Sequence, residues 1–530
     1  MAQDWWRGAV TYQVYPRSFQ DSTGNGIGDL AGITRRLPYI ASLGVDAVWL
    51  SPVFGSPMKD MGYDVSDYTD IDPLFGSLAD FDRLVARAHE LGLKLVIDQV
   101  LSHSSDQHPF FAESRKGRDN PKSDWYVWAD ARPDGTPPNN WASVFGGPAW
   151  EWDGHRRQYY LHNFLPSQPD FNFHNERVQD WLLDVARFWL DRGVDGFRLD
   201  TVNYYFHDAK LRNNPPRRIG PQVNPYEMQL HRYSRNRPEN LAFLARLRAL
   251  TDEYGAAMVG EVGDATRGAE IMAEYTSGNR HLHQAYSFDM LGPEFSAKHF
   301  RRKIETFFHK APDGWPTWAF SNHDVIRHAT RWQDHAATPD ALAKLAAAML
   351  LSFPGSVCLY QAEELGQTES DLEFAELTDP PGIRFWPDYK GRDGCRTPMV
   401  WDGNGNTAGG FSTAAPWLPV KPAQLARNVA AQQDDPASVL HFYRQMLAFR
   451  ASHKDLHGRG PAHFFTRPEP VLMFQRGGLI CAFNLGTRPA HTRLPPEGQR
   501  GVLSGPAQGA ILSGRDLSLG PNGFAFVALG

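Results

Sequence analysis

Apolar residues along the chain follow two patterns, which are short continuous runs and longer stripes with a helical period. The continuous runs are rich in β-branched and aromatic residues, as expected of buried strands. The stripes at residues 77–91 and 175–192 predict two clear helices. The first helix begins with a capping-box pair, Ser77 and Asp80, and Gly193 follows the second. Eight strands are predicted, at residues 9–15, 46–50, 93–97, 194–199, 257–260, 283–288, 317–320 and 356–360.

The alternation of strands and helices predicts an α/β fold with a parallel sheet covered on both faces. Eight strand–helix units favour closure into a (β/α)₈ TIM barrel over an open sheet. A doubly wound sheet would carry a glycine-rich turn after its first strand. Neither G-x-G-x-x-G nor a Walker pattern follows residues 9–15. We therefore expect the barrel.

Three segments depart from this alternation. Residues 102–172 are rich in Pro, Gly, Asn and Trp and too long for an ordinary loop, which predicts an inserted subdomain after the third strand. Residues 367–435 are irregular and predict a lid after the eighth strand. Strands and tight turns beyond the barrel predict a C-terminal antiparallel β-sandwich domain at residues 457–530. The barrel would then comprise residues 1–101 and 173–456.

The composition of the 530-residue chain is that of an ordinary globular protein. The net charge of −6 is spread without long blocks of one sign, which argues against a nucleic-acid partner or a polybasic membrane surface. No apolar run approaches the roughly 18 residues that a membrane span needs, and the first residues have no signal-peptide pattern. Cys358, Cys395 and Cys481 are scattered and odd in number, which fits a reducing cytoplasm.

Polar residues gather where the predicted strands end, which is the end at which barrel active sites lie. Asp98 ends the third strand, Arg198 and Asp200 end the fourth, Glu261 ends the fifth, and Asp324 follows the seventh. Any one of these carboxylates alone would more often be a cap or an ion-pair partner. Two carboxyls in unequal environments supply a nucleophile and a proton donor, which favours glycoside hydrolysis. A divalent metal for hydrolysis is the alternative, although such sites usually add histidines at ligand spacing.

Four ordered motifs resemble those of the α-amylase family (glycoside hydrolase family 13). They are DQVLSH at 98–103, GFRLD at 196–200, VGE at 259–261 and FSNHD at 320–324. QPDFN at 168–172 resembles a further motif of the oligo-1,6-glucosidase/α-glucosidase branch, as do residues 62–68, 141–153 and 392–399. The resemblance runs in order through about residues 5–450 and implies the barrel fold.

The resemblance also implies residue roles in a retaining mechanism that needs no cofactor. Asp200 would be the nucleophile, Glu261 the acid/base, and Asp324 the group that stabilises the transition state. The glucose at the non-reducing end would be bound by Tyr63, Asp64, His103, Arg198, His323 and Arg392, with Tyr63 as a stacking surface. Arg198 would also keep Asp200 ionised, whereas Glu261 needs a raised pKa to remain protonated.

Departures from the family pattern bear on specificity. Ser102 stands where amylases carry a calcium-binding Asn, so no amylase-type calcium is expected there. Thr201-Val-Asn203 replaces the Lys-His pair of endo-amylases, which favours an exo-acting enzyme. In this branch, Thr after the nucleophile accompanies α-1,4 preference and Val accompanies α-1,6. Maltose is therefore the expected substrate, with sucrose as a further one.

Residues 21–29 predict a cation loop. Oxygen donors are spaced as in most of an EF-hand, from Asp21, Thr23, Asn25, Ile27 (backbone carbonyl) and Asp29. Gly32 stands where the bidentate Glu would be, and such loops are commonly plain turns. The resembling α-glucosidases carry Ca²⁺ or Mg²⁺ in this loop, so a structural metal is expected.

The leading hypothesis is a retaining, exo-acting α-glucosidase that acts on small α-glucosides in the cytoplasm, as a monomer or weak homo-oligomer. The alternative is a transglucosylase or isomerase of sucrose or trehalose chemistry, in which a sugar or alcohol accepts the glucosyl group from the same residues. A non-catalytic scaffold is disfavoured because such members lose the catalytic carboxylates. The terminal β domain is assigned a structural role.

Overall fold

Eight parallel strands form the barrel in the computed structural model, which describes residues 4–264, 266–457 and 462–529. The strands are Val10–Val14, Ala47–Leu50, Lys94–Gln99, Gly196–Leu199, Ala257–Val262, Gln284–Ser287, Thr317–Trp318 and Ser356–Tyr360. Each pairs with its sequence neighbour from the first to the sixth, and the first also pairs with the eighth, which pairs with the seventh. A parallel bridge between Ala285 and Pro316 links the sixth and seventh strands. The predicted (β/α)₈ fold is confirmed.

One long helix follows each barrel strand and covers the outside of the sheet. These helices are Leu30–Leu43, Leu78–Glu90, Glu176–Asp191, Asn240–Glu253, Gly268–Thr276, Ala297–Lys310, Pro339–Leu350 and Val439–Ser452. The predicted capping box is formed, since Ser77 and Asp80 exchange side-chain and backbone hydrogen bonds. Gly193 has φ 89°, a left-handed conformation that glycine adopts without a Cβ penalty.

The segment after the third strand contains a small sheet of its own. Its elements are a short helix, Pro109–Ser114, and three antiparallel strands, Trp128–Ala129, Trp150–Asp153 and Gln158–Leu161. Trp141 and Trp150 stack with 5.9 Å between ring centroids in its apolar centre. The segment after the eighth strand contains only short elements. They are the helices Pro380–Arg384, Pro422–Leu425 and Val429–Gln433 and the 3₁₀ turns Glu363–Leu365, Phe374–Glu376, Asp393–Cys395 and Gly405–Thr407.

A third excursion, after the fourth strand, was not predicted. Residues 201–239 contain only the 3₁₀ turns Val202–Tyr204 and Pro225–Met228 before the next long helix. Periodicity did not mark this segment because its polar residues and prolines differ little from an ordinary surface loop. It places additional side chains beside the carboxyl ends of the barrel strands.

The C-terminal region forms one seven-stranded antiparallel sheet. Its strands are His463–Phe465, Val471–Arg476, Leu479–Asn484, Ala490–Arg493, Val502–Leu503, Gln508–Ser513 and Asp516–Ala528, and the last pairs with four others. Phe524 and Phe526 contact Phe442 and Phe449 of the final barrel helix at ring-centroid distances of 5.5 and 5.1 Å. Burial of such a ring stabilises by roughly 1.5–3 kcal/mol, so this face attaches the sheet to the barrel. No described helix is long and apolar enough to cross a membrane.

Candidate active site

A cavity of about 510 Å³ opens beside the carboxyl ends of the barrel strands. Seven of the nine residues assigned to catalysis and sugar binding line it, namely Tyr63, His103, Asp200, Glu261, His323, Asp324 and Arg392. Aromatic side chains contribute much of the remaining wall, including Phe145, Phe164, Phe288, Phe385 and Tyr389. Apolar surface with a few convergent polar groups is typical of a small-molecule site.

Arg198 lies behind this cavity and joins three carboxyl groups. Its side chain is fully buried, and Nη1 lies 2.8 Å from Asp98 Oδ1 and 2.6 Å from Asp200 Oδ1. Nη2 lies 2.5 Å from Glu261 Oε1. Parallel pairing sets Asp98 opposite Arg198, and Arg198 shares a strand face with Asp200 two residues on. Arg198 therefore orients the carboxyls and does not line the cavity.

Tyr286 and Thr201 complete the connection between the two carboxyls in the cavity. The Tyr286 hydroxyl accepts a hydrogen bond from Arg198 Nη2 at 2.9 Å and donates to Glu261 Oε1 at 2.8 Å. Thr201 donates from its backbone N to Glu261 Oε2 at 3.1 Å and from Oγ1 to Asp200 Oδ2 at 3.2 Å. Thr201 does so at φ 42°, an uncommon conformation for a β-branched residue that the surrounding contacts hold in place.

Burial raises the pKa of both Asp200 and Glu261 to about 7, against the lowering effect of Arg198. Asp98 behaves in the same way, with its pKa raised to about 6. One guanidinium charge does not compensate three buried carboxylates, so the cluster retains a proton near neutral pH. Asp200 and Glu261 titrate as a pair, in which one carboxyl can be ionised while the other is protonated.

Asp324 has the opposite electrostatic environment. Although burial raises its pKa, the positive charges of Arg392 and Arg396 outweigh this and lower the pKa below the usual range. Arg392 Nη1 lies 3.2 Å from Asp324 Oδ1, and Arg396 Nη2 lies 3.0 Å from the same oxygen. Arg396 also donates from Nε to the His323 carbonyl at 2.7 Å. Asp324 is therefore an ionised acceptor at the cavity wall.

Two neutral histidines complete the polar side of the cavity. Burial lowers the pKa of His103 to about 4 and that of His323 well below its usual value. The His323 ring stacks on Tyr63 at a centroid distance of 5.3 Å, and its Nε2 lies 2.6 Å from the Tyr63 hydroxyl. His103 Nδ1 lies 2.8 Å from Ser102 Oγ. Both rings act as hydrogen-bonding groups without a charge.

Asp64, which was expected to bind the sugar, is not among the residues that line the cavity. Its side chain is buried and accepts hydrogen bonds from Ser56 Oγ and from the backbone N of Lys59 and Asp60. Asp60, four residues earlier, lines the cavity instead and lies 2.8 Å from Arg392 Nη2. A tight turn decides which of the two carboxylates faces inward, and residue spacing alone does not reveal that turn.

The loop at residues 21–29 is closed by hydrogen bonds to its own carboxylates. Asp21 accepts N–H bonds from Thr23, Gly24 and Gly26 and an O–H bond from Ser412 at 2.6 Å. Asp29 accepts two bonds from Ser22 and caps the first helix through Gly32 N at 2.7 Å. Although burial raises it, these bonds lower the pKa of Asp21 overall. The donor set, which consists of carboxylate, hydroxyl, amide and carbonyl oxygens, suits a hard cation such as Ca²⁺ or Mg²⁺.

A barrel with an inserted subdomain and two carboxyls bridged by one arginine defines the class of barrel enzymes that act on glycosidic bonds. The chain matches the family model of the α-amylase catalytic domain over residues 13–458. With close relatives over most of its length as well, it belongs to the α-amylase family.

Among curated proteins, the chain is 57% identical over 506 residues to a probable α-glucosidase of Rhizobium meliloti (strain 1021), covering 93% of this chain and 91% of the relative. It is 38% identical to an oligo-1,6-glucosidase of Heyndrickxia coagulans, covering 85% of this chain and 86% of the relative. Among solved structures, an α-glucosyl transfer enzyme superposes with a TM-score of 0.96 at 51% identity, covering 99% of both chains. The trehalulose synthase of Pseudomonas mesoacidophila MX-45 superposes with a TM-score of 0.89 at 32% sequence identity, covering 99% of both chains.

Proposed function

We propose that the protein is a retaining, exo-acting α-glucosidase in which Asp200 is the nucleophile and Glu261 the acid/base. The observation that carries the proposal is the single guanidinium of Arg198, which contacts both carboxyls at 2.6 and 2.5 Å. Retaining enzymes hold their two carboxyls roughly 5–5.5 Å apart, whereas inverting enzymes need a larger gap for water. A spacing that one guanidinium bridges supports retention.

The chemistry follows from this arrangement. Glu261 donates its proton to the glycosidic oxygen while an Asp200 carboxylate oxygen forms a bond to the anomeric carbon, and the leaving group departs as an alcohol. Glu261, now ionised, removes a proton from water, whose oxygen displaces Asp200 and regenerates both groups. Two inversions return α-glucose. Asp324, as an ionised acceptor, binds sugar hydroxyls, and the neutral His103 and His323 hydrogen-bond around the same ring.

We further propose a preference for α-1,4-linked disaccharides. The support is Thr201, whose side chain lines the cavity between Asp200 and Glu261 and lies 3.1 Å from Ser102 Oγ. The expected result is that kcat/KM for maltose exceeds that for isomaltose, and that the glucose first released from 4-nitrophenyl α-glucoside is the α anomer. Rates for the two disaccharides and NMR of the aryl glucoside digest test the two points. Faster cleavage of isomaltose would contradict the linkage preference, and β-glucose as the first sugar released from the aryl glucoside would contradict retention.

Transfer of the glucosyl group to a sugar or alcohol is the second candidate function. It is favoured by the superposition with an α-glucosyl transfer enzyme over 99% of the chain, together with the aromatic wall of the cavity, which suits a bound acceptor. The same maltose digests repeated with added glycerol separate the two functions. Each transfer from maltose yields one glucosyl-glycerol and one free glucose, whereas each hydrolysis yields two free glucoses. Equal amounts of glucosyl-glycerol and glucose support transfer, and free glucose without glucosyl-glycerol supports hydrolysis.

The loop at residues 21–29 is proposed to hold a structural Ca²⁺ or Mg²⁺, with oxygens from Asp21, Thr23, Asn25, Ile27 and Asp29. Because hydrogen bonds already close this loop, the ion adds only modest stability. We expect Ca²⁺ to raise Tm by about 3 °C at saturation, and Asp21→Asn to remove that response. Differential scanning calorimetry with Ca²⁺ and with chelator measures it. An equal Tm in both conditions, with no divalent ion found by elemental analysis, would identify a plain turn.

We also propose a cytoplasmic location and a monomeric or weakly associating state. All three cysteines are buried and unpaired, which supports a reducing compartment.

A further inference from the structure

A second cavity of about 600 Å³ adjoins the first. The two share five lining residues, Val144, Tyr204, Glu227, Gly263 and Phe288. The rest of the second wall comes mainly from residues 217–236, which belong to the excursion after the fourth strand, and from Asp264, Thr266 and Arg267 after the fifth. Neither segment carries a residue with a predicted role.

The second cavity carries an excess of positive charge. Four arginines line it, and two of them face acidic partners, with Arg217 3.4 Å from Glu227 and Arg235 3.5 Å from Asp264. No ion pair to Arg232 or Arg267 occurs among residues 4–264, 266–457 and 462–529. Burial lowers the pKa of His231 to about 3, so this lining residue does not add to the charge. Two cations remain in excess, in a chain whose net charge is −6.

The wall of this cavity is attached to the loops that carry the catalytic carboxyls. Arg235 Nη1 donates to the Tyr204 hydroxyl at 2.7 Å and to the Gly263 carbonyl at 2.6 Å. Gly263 lies two residues beyond Glu261, hence within about 7 Å along the backbone. Tyr204 lies four residues beyond Asp200. A ligand in the second cavity is therefore close to the leaving-group side of the two carboxyls.

We propose that this second cavity binds an anionic group, a carboxylate or a phosphate, carried by the leaving group or acceptor of the glucosyl transfer, with Arg232 and Arg267 as its cationic partners. Guanidinium groups bind both anions through paired N–H donors and retain their charge at all physiological pH values. The proposal rests on the proposed function, because it places the anion on a substrate whose glucose occupies the first cavity.

The test uses aryl α-glucosides that differ only at the para position. The wild-type enzyme is assayed with 4-carboxyphenyl, 4-phosphonooxyphenyl and neutral 4-carbamoylphenyl α-glucoside, and kcat/KM for each anion is divided by that for the neutral compound. In Arg232→Gln/Arg267→Gln this ratio is expected to fall by about tenfold, since each lost charge-assisted contact removes several-fold in affinity. Arg500→Gln, which replaces an exposed arginine in the 3₁₀ turn Pro496–Arg500 of the C-terminal region, is the matched control and retains the wild-type ratio.

The outcomes separate this proposal from the proposed function. A fall confined to one anion identifies the group that the cavity prefers, and a fall for both indicates a general anion site. A ratio that is the same in the wild type and the double variant overturns the second site, even where all three glucosides are cleaved. Absence of cleavage of the neutral glucoside by the wild type overturns the proposed function itself.

Discussion

Replacing Asp200 by Asn is expected to lower kcat on maltose by about 10⁴-fold or more, because removal of a nucleophile deletes the covalent route. The amide keeps the size of the carboxylate, and its oxygen can still accept from Arg198 Nη1, now 2.6 Å from Asp200 Oδ1. Arg198 also retains Asp98 and Glu261 as charge partners. The fold should therefore persist, as measured by an unchanged far-UV spectrum beside the lost turnover.

A matched control lies at the other end of the same strand segment. Asp195 accepts hydrogen bonds from Lys94 Nζ at 2.7 Å and from Leu95 N at 2.9 Å, away from the cavity. Asp195→Asn should keep kcat near the wild-type value. Substantial turnover in Asp200→Asn, or an equal loss in the control, would remove the assignment of the nucleophile.

Azide tests the role of Asp200 independently of rate. In Asp200→Gly, azide in the vacated space attacks the anomeric carbon of an activated α-glucoside once, and one inversion yields β-glucosyl azide. A nucleophile variant of a retaining enzyme gives this product, whereas an acid/base variant gives the α anomer after two inversions. NMR of the product distinguishes them, and α-glucosyl azide from Asp200→Gly would contradict the assigned role.

The barrel and the carboxyls at its strand ends were predictable because both depend on simple periodicities. Continuous apolar runs identify buried parallel strands, and barrel sites lie where those strands end. Asp98, Asp200, Glu261 and Asp324 follow directly from these two rules. The two-residue spacing of Arg198 and Asp200 gave their shared face, which the contact of 2.6 Å reproduces.

Residues that depend on register or on irregular backbone were not predictable in this way. Tyr286 contacts Glu261 because the two residues are paired across the fifth and sixth strands. The sequence of either strand alone does not determine this register. Arg396 contacts Asp324 from a segment without periodic structure. Because of one tight turn, Asp60 rather than Asp64 lines the cavity. These positions depend on packing between distant segments, to which local patterns are insensitive.

The largest pH effect is expected from Glu261, the proposed acid/base. Burial raises its pKa to about 7, although Arg198 opposes the shift. Only the protonated form can donate to the leaving group, so kcat/KM on maltose should fall as pH rises through this value. On the acid side, kcat/KM should fall when Asp200 takes up a proton, because a protonated carboxyl is not a nucleophile. Since the two groups titrate as a pair, the bell-shaped profile reports two apparent pKa values that belong to the pair and not to either residue.

Glu261→Gln removes the titrating proton while keeping one oxygen in the place of Oε1, which accepts from the Tyr286 hydroxyl at 2.8 Å. The bond from Thr201 N to Oε2, at 3.1 Å, is lost. We expect turnover of maltose to fall by about 10³-fold, within the range for loss of general acid catalysis. With 4-nitrophenyl α-glucoside as substrate, 4-nitrophenolate leaves without being protonated. The burst of nitrophenolate released in the first step should therefore be much less affected. The alkaline limb should disappear from the remaining kcat/KM profile.

The control for this profile is a second buried glutamate outside the cavity. Burial raises the pKa of Glu363 to about 8, and its carboxylate accepts from the Tyr443 hydroxyl at 3.3 Å behind the eighth strand. Glu363→Gln removes a high-pKa carboxyl without touching substrate, so the alkaline limb should remain. The opposite result would be an alkaline limb that persists in Glu261→Gln and is lost in Glu363→Gln. It would assign the essential proton to Glu363, and Glu261 would no longer be the acid.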